Sequence, residues 1–221
     1  MSKAIESHGP SWTEVILGAV LSVVLGVVLA AASLVLKPVV KAKELPKEPV
    51  AGTVYYLEGK TDSSLARQAV TKQNLFASGK SVAVTEEELN ALVGPAPAAP
   101  GKDPAAPAAA PSGALSYGTP NFRVRQGELQ IAVPVRVAVV GLDANLIVQA
   151  RGTFTRSGDV FVFSPNTVYV GSCPVDRLPV AEGYFMKKIM EAKALPEGAV
   201  AAWHQLSDVT VDGSTLRLTM P

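Results

Sequence analysis

The most constraining feature of the sequence is an apolar run near its N-terminus that contains no charged residue. The run extends from Val15 to Leu36 and is 22 residues long. At ~1.5 Å per residue it forms a helix of about 33 Å, enough to cross a hydrocarbon core of ~30 Å. Trp12 precedes it where an interfacial aromatic residue would lie, and Lys37-Pro38 ends it with a charge and a helix breaker. The run predicts a single transmembrane helix at 15–36, preceded by a short tail at 1–14.

A cleavable signal peptide is the alternative interpretation of this run. Ala30-Ala31-Ala32 offers a small-residue cleavage site after a hydrophobic stretch. The preceding residues contain one lysine and two glutamates, however, and the apolar run continues beyond the site. A retained span is favoured, and cleavage after Ala32 stays open.

Small residues recur every four positions along the span. Gly18, Ser22, Gly26 and Ala30 fall on one helix face, where small side chains let two backbones approach closely. We expect this face to be a transmembrane packing face that could form a homodimer. The alternative is that small residues are simply frequent in membrane helices.

The charges that flank the span favour a cytoplasmic domain. Lys37, Lys41, Lys43 and Lys47 follow the span, whereas only Lys3 precedes it. The positive-inside rule therefore places the C-terminal side in the cytoplasm. The resemblance described below implies the opposite orientation.

The rest of the chain predicts a stalk and one domain. Residues 37–52 are rich in lysine, glutamate and proline and indicate an exposed stalk. Residues 53–221 predict one α+β domain, an antiparallel β-sheet packed with helices. Residues 94–113 contain 8 alanines and 6 prolines, a composition that cannot build a core and predicts a disordered loop.

Two long strands dominate the predicted sheet because apolar residues alternate with others at period two. The first covers Leu129–Val139, where Pro134 predicts an edge or a bulge because proline cannot donate to a ladder. Leu142–Asn145 is predicted to connect it to the second strand, Leu146–Arg156. The other predicted elements are strands at Thr53–Leu57 and Ser81–Val84, helices at Asp62–Ser78 and Glu197–Gln205, a hairpin turn at Ser157-Gly158-Asp159 and a C-terminal hairpin turning at Asp212-Gly213.

An amphipathic helix is predicted at Ala181–Lys193. Its apolar residues could face a hydrophobic ligand, and the alternative is ordinary core packing. These candidate ligand-facing residues are Phe185, Met186, Ile189 and Met190.

Three consecutive glutamates follow Thr85 in a capping-box pattern. The Thr85 hydroxyl can accept from the Glu88 N–H while the Glu88 carboxylate accepts from the Thr85 N–H. Because acidic residues suit the first turn of a helix, a structural role is favoured over a metal or acid site.

No catalytic or metal-binding pattern stands out. His8 lies in the tail, and a dyad of Cys173 with His204 has no recognisable nucleophile motif around it. The net charge of +1 lacks the basic excess of a nucleic-acid-binding protein. We therefore expect no enzymatic activity, no cofactor, no metal and no nucleic-acid partner.

Two short motifs resemble a known family. The segment Thr85 to Asn90 is similar to the T-E-x-E-L-N motif of YpmS-like single-span bacterial envelope proteins, and the turn from Gly171 to Pro179 resembles their turn between sheet and helix. The order of elements also matches, although the Ala/Pro loop is an insertion. Those proteins resemble tubular lipid-binding domains, and the resemblance implies their fold and an extracytoplasmic location more than it implies a lipid ligand.

The sequence thus leads to three functional hypotheses. The preferred one is a membrane-anchored, non-enzymatic envelope protein that binds lipid or another hydrophobic ligand. The second is an interaction or assembly protein that oligomerises through its transmembrane helix. The third is a hydrolase or redox protein that uses Cys173.

Overall fold

The computed structural model describes residues 11–94, 115–139, 142–175 and 197–221. Its first element is a helix, α1, at Trp12–Leu36, which begins at a capping box between Ser11 and Glu14. The helix is long and apolar enough to cross a membrane, and none of its residues is buried in the rest of the chain. This element agrees with the helix predicted from the apolar run.

The remaining elements confirm the α+β class expected from the sequence. The helices are α2 at Ala66–Ala77, preceded by a 3-10 turn at Ser63–Leu65, α3 at Glu86–Val93 and α4 at Glu197–Trp203. The strands are β1 at Val40–Ala42, β2 at Tyr55–Leu57, β3 at Val82–Thr85, β4 at Leu115–Tyr117, β5 at Asn121–Arg125, β6 at Glu128–Val139, β7 at Leu142–Ser157, β8 at Val160–Val170, β9 at Cys173–Pro174, β10 at Asp208–Asp212 and β11 at Thr215–Thr219.

The largest sheet is antiparallel and has the order β4-β6-β7-β8-β9, with β5 also paired to β6. Strand β6 pairs with β7 along one side, and with β5 and then β4 along the other. Pro134 lies opposite the break between β4 and β5, where its carbonyl accepts from the Gly118 N–H at 2.7 Å. The strand is therefore interior, and its proline lies where no neighbouring strand needs a donor.

A smaller antiparallel sheet, β10-β11-β3, forms the first core together with the helices. Phe76 from α2 and Ala202 from α4 pack there against Leu218 of β11. Phe161 of β8 belongs to the same core, and its carbonyl accepts from the Trp203 indole N–H at 2.8 Å. The far end of the β7–β8 hairpin is thus attached to the small sheet.

Two further cores lie on opposite faces of the large sheet. The second core comprises valines of β6, β7 and β8, with Val175 and the partly buried Val35 of α1. The third core, on the other face, comprises Tyr56, Ala132 and Ile147, with Val39 packed against them. The sheet therefore has buried residues on both faces at the end nearest α1.

Two predicted features differ from the structure, and two others fall outside the described residues. The segment predicted as an exposed stalk contains β1, which pairs in parallel with β2, because backbone pairing depends on a partner 15 residues further along. Leu142–Asn145, predicted as a connection, is the beginning of β7. The predicted helix at 181–193 and nearly all of the Ala/Pro loop lie outside the described residues.

Candidate functional site

The last turn of α1 is hydrogen-bonded to the edge of the large sheet. The Ser172 N–H donates to the Leu34 carbonyl at 3.2 Å, and the Ser172 hydroxyl donates to the Lys37 carbonyl at 3.1 Å. The neighbouring Gly171 N–H donates to the Ile147 carbonyl at 2.9 Å. The turn between β8 and β9 therefore joins the helix to strand β7.

Gly171 allows this close approach. Its φ is +59°, a conformation that side chains disfavour, and a Cβ there would overlap the carbonyl oxygen of Val35. Val35 in turn packs against the second core. The helix and the sheet thus form one continuous unit at this turn, which we call the helix–sheet junction: residues 34–37 and 171–172.

The segment after the helix covers one face of the sheet. The Val40 N–H donates to the Val54 carbonyl at 3.1 Å, and the Lys37 ammonium donates to the Gly52 carbonyl at 3.0 Å. Tyr56 is 4% exposed and packs in the third core. We call residues 38–59 the connector, because they link the anchor helix to α2 across this face.

A groove separates the connector from the sheet. Its volume is about 220 Å³. The lining residues are Leu45, Thr53, Val54 and Tyr55 on the connector, and Gln130, Gln149, Ala150, Arg151, Thr167 and Tyr169 on the sheet. An adjoining cleft shares Leu45, Gln130 and Arg151 and adds Leu57, Arg123, Arg125, Gln126 and Glu128. We refer to the first of these as the polar groove.

The strand register places Arg151 in a fixed polar row. Arg123 pairs with Gln130 and Gln130 pairs with Arg151 across three neighbouring strands. The Gln130 amide donates to the Leu57 carbonyl at 3.0 Å and its oxygen accepts from the Arg151 guanidinium at 3.2 Å. Gln130 therefore orients Arg151, and the rest of that guanidinium is exposed at the groove.

Gln149 lies beside this row and is 5% exposed. Across the described residues, its Oε1 is the only buried side-chain nitrogen or oxygen that lacks a hydrogen-bond partner. Leaving such an atom unpaired costs about 1–3 kcal/mol. A buried acceptor at the wall of a groove therefore calls for a donor from a bound water or a ligand.

The positive charges of the row are not neutralised by carboxylates. In the described part of the chain, Arg123, Arg125 and Arg151 form no ion pair. Arg123 donates instead to the carbonyls of Lys43 and Glu58 at 2.9 and 2.8 Å, which ties the connector to β5. Arg151 is thus the arginine of the row that is both positioned and available.

The glutamates after Thr85 have a structural role, as expected. The Thr85–Glu88 capping box forms, and Glu88 also pairs with Lys72 at 2.7 Å. The Glu86 carboxylate accepts from the N–H groups of Lys60 and Val124 at 2.6 and 2.9 Å. The motif therefore connects α3 to the connector side and to β5.

The predicted packing face is exposed on α1. Gly18 and Gly26 have no neighbouring atom where a Cβ would lie, and the Ser22 hydroxyl donates to the Gly18 carbonyl at 2.7 Å. Ala30 is the fourth residue of this face. The candidate ligand-facing residues Phe185, Met186, Ile189 and Met190 lie outside the described residues.

Cys173 and His204 lie at opposite ends of β8. Cys173 is buried in the turn after Val170, whereas His204 follows Trp203, which contacts Phe161. At ~3.3 Å per residue, the nine steps from Phe161 to Val170 separate the two ends by about 30 Å. The dyad considered from the sequence is therefore not assembled.

Comparisons with known proteins add no family assignment. No family model, no curated protein and no solved structure matches the chain. Within the described ranges, no group of three or more histidine, cysteine, aspartate and glutamate side chains is arranged to hold a metal ion. The candidate functional features of the described residues are the helix–sheet junction and the polar groove.

Sequence reasoning missed the polar groove because it depends on a non-local cover. Gln130, Gln149 and Arg151 occupy the strand positions opposite in parity to the aliphatic core, so alternation marked that face as solvent-exposed. The connector covers this face through contacts that span about 70 to 80 residues of sequence. A weak signal did exist, since both strands carry a glutamine, Gln130 and Gln149, on a face where charged residues are more usual.

Proposed function

We propose that the chain is a membrane-anchored, non-enzymatic envelope protein that binds a lipid or another hydrophobic ligand at the bilayer surface. The helix–sheet junction is the observation that carries this proposal. Because the sheet is bonded directly to the last turn of α1, the domain stays at the membrane surface. A flexible tether would give the domain no fixed position relative to lipids.

The polar groove lies close to this junction. Gln149 is two residues along β7 from Ile147, whose carbonyl accepts from Gly171 of the junction, so the backbones of Gln149 and Ile147 are separated by about 7 Å. The headgroup layer on each side of the hydrocarbon core is roughly 5–8 Å thick. A groove at this distance is within reach of headgroups when α1 spans the bilayer.

The resemblance to YpmS-like proteins supports the same proposal and adds an orientation. We propose an extracytoplasmic domain on that basis, against the lysine count that follows the span. Cysteine-specific labelling of intact cells tests it, using a Ser112→Cys variant in the Ala/Pro loop and a Cys173→Ala background. Labelling by a membrane-impermeant maleimide only after lysis would place the domain in the cytoplasm.

Native mass spectrometry of the full chain tests ligand binding. The protein is released from detergent micelles, and a reproducible added mass that matches a lipid is the expected result. The full chain is required because residues 34–42 contribute to the junction and to β1. A bare monomer mass under conditions that preserve other lipid complexes would contradict the proposal.

A second candidate function is assembly through α1. It is favoured by the exposed face of Gly18, Ser22, Gly26 and Ala30, which nothing else in the described chain covers. Replacing Gly26 by leucine should reduce crosslinked dimers in membranes, because a bulky residue separates the two backbones. Val24→Leu, on another face, is the matched control, and equal crosslinking of both variants would exclude this packing face.

A further inference from the structure

We propose that the polar groove binds a phosphate ester that carries a hydroxyl or ammonium group, with Arg151 on the phosphate and Gln149 Oε1 accepting from that group. This inference rests on the proposed lipid-binding function and specifies its ligand. A phospholipid headgroup and a soluble phosphate ester share this chemistry. The nearby bilayer makes the headgroup the source that we expect.

Arg151 supplies the anion-binding group. A guanidinium presents several N–H donors in a plane and matches the oxygens of a phosphate in two parallel hydrogen bonds. Within the described chain this side chain makes one hydrogen bond, to Gln130, and that bond holds the guanidinium at the groove. A pre-oriented arginine loses little side-chain entropy when an anion binds.

The surrounding charges favour an anion. Arg125 lines the adjoining cleft without an ion pair in the described part of the chain. Glu128 lines the same cleft, and its carboxylate accepts from the Asn166 amide at 2.9 Å. The carboxylate borders the cleft, whereas Arg151 is shared between the cleft and the polar groove.

Gln149 supplies the second point of recognition. Its Oε1 lacks a donor among the described residues, and Gln149 lines the groove. Gln149 and Arg151 lie on the same face of β7 two residues apart, which separates their backbones by about 7 Å. A headgroup that carries a phosphate and a nearby hydroxyl or ammonium can span that separation, whereas inorganic phosphate has no second group to do so.

The size of the groove selects a headgroup and excludes whole lipid chains. Ligand pockets for drug-sized molecules measure about 300–1,000 Å³, and this one measures about 220 Å³. Leu45, Val54 and Ala150 contribute apolar surface to the groove, but its volume is too small for whole acyl chains. The acyl chains would therefore stay in the bilayer while the polar end enters the groove.

Calorimetric titration of the full chain in uncharged maltoside micelles tests the inference. The probes are dihexanoyl phosphatidylglycerol, dihexanoylglycerol, which lacks the phosphate, and glycerol phosphate, which lacks the chains. We expect the phospholipid to bind and Arg151→Gln to weaken it roughly 10- to 100-fold, the range for a charged hydrogen bond. Arg67→Gln is the charge-matched control on the exposed surface of α2, and it should bind as the natural protein does.

The other outcomes of the titration distinguish a failure of the phosphate site from a failure of lipid binding. Equal binding by Arg151→Gln and Arg67→Gln would overturn the phosphate site. Dihexanoylglycerol binding as tightly as the phospholipid would overturn phosphate recognition and leave lipid binding standing. Glycerol phosphate binding as tightly as the phospholipid, with the same dependence on Arg151, would support the phosphate site and contradict the lipid as its source. Binding of no probe would overturn the phosphate site, whereas the native mass spectrum of the full chain decides the lipid-binding proposal separately.

Gln149→Leu separates a ligand contact from a structural one. Replacing an unpartnered buried acceptor with an apolar side chain of similar size should leave the thermal midpoint unchanged or raise it. The same variant should bind the phospholipid roughly 2- to 10-fold more weakly, since it loses a neutral hydrogen bond. A lowered midpoint with unchanged binding would show that Oε1 holds a structural water, which would overturn this part of the inference.

Discussion

Gly171 has two properties that separate variants can distinguish. It adopts a positive φ and it also lies against the Val35 carbonyl, whereas Gly158 adopts a similar φ of +61° with nothing nearby. Gly158→Ala should therefore cost about 1 kcal/mol of unfolding free energy, from backbone conformation alone. Gly171→Ala should cost at least about 2 kcal/mol more, because the helix end must move away from the sheet.

Chemical denaturation of the two variants in micelles, followed by circular dichroism, measures this difference. Similar losses for both variants would mean that the helix end adjusts freely, and the helix–sheet junction would then not be rigid.

Tyr56 makes the connector sensitive to alkaline pH. Burial, together with the nearby Glu58 carboxylate, raises the pKa of Tyr56 to about 12, although Arg123 opposes the shift. The folded state therefore holds this proton more tightly than the unfolded chain, whose tyrosine has a pKa near 10. Stability from this group is present below pH 10 and declines as the pH rises towards 12, by at most about 2–3 kcal/mol.

Tyrosine absorbance and thermal midpoints recorded between pH 9 and 12 test this. Tyr56→Phe should lose the tyrosine with the raised pKa and reduce the decline in midpoint. Tyr117→Phe, at an exposed position, is the control. An unchanged pH profile in Tyr56→Phe would assign the alkaline transition to other groups.

At the scale of elements, α3 is joined to β5 by a side chain that hydrogen-bonds to the strand backbone. Asn90 is 3% exposed, and its amide accepts from the Phe122 N–H at 2.7 Å and donates to the Phe122 and Lys60 carbonyls at 2.8 Å. Asn90→Ala leaves these buried backbone groups unpaired. We expect a loss of roughly 2–4 kcal/mol in unfolding free energy.

Asn74→Ala provides the comparison, because Asn74 is exposed on α2 and alanine suits a helix at least as well. Its unfolding free energy should stay within about 0.5 kcal/mol of that of the natural protein. Urea titrations of both variants measure the difference. Equal stability of the two would mean that the Asn90 hydrogen bonds do not contribute to holding β5 beside α3.

Elements with a local signal were predictable from the sequence, and those that depend on distant partners were not. The period-two alternation predicted most of β6 and β7, and the Thr85–Glu88 pattern predicted the start of α3. Strand β1 has only three residues and exists because β2 pairs with it. The polar groove was missed for the same reason, since the burial of Gln149 requires the connector to cross its face.

At the scale of the whole molecule, the long β7–β8 hairpin connects cores at two ends. Phe161 belongs to the first core, while Val148 and Ile147 belong to the second and third cores beside α1. The anchor side supplies Val35 and Val39 to those last two cores. The end of the domain nearest the helix is thus completed by residues that precede the predicted domain boundary.

Two truncated chains test this dependence. A chain that begins at Ser33 keeps Val35, Val39 and β1, whereas a chain that begins at Val50 loses all three. We expect the shorter chain to have an unfolding free energy lower by about 2–4 kcal/mol, from lost apolar burial and strand pairing. Denaturant titration of both measures it, and equal stability would show that the domain is complete without the anchor-side residues.

Because α1 continues from the span into the helix–sheet junction, it also fixes the orientation of the domain around the helix axis. Nine residues separate Gly26 from Val35, which is about two and a half helical turns, so the small-residue face points away from the side that holds the sheet. Two copies joined along that face would hold their domains on opposite sides of the helix pair. The two grooves would then lie over separate areas of the membrane. One residue inserted between Ala30 and Leu34 would swing each domain by about 100° around the helix axis.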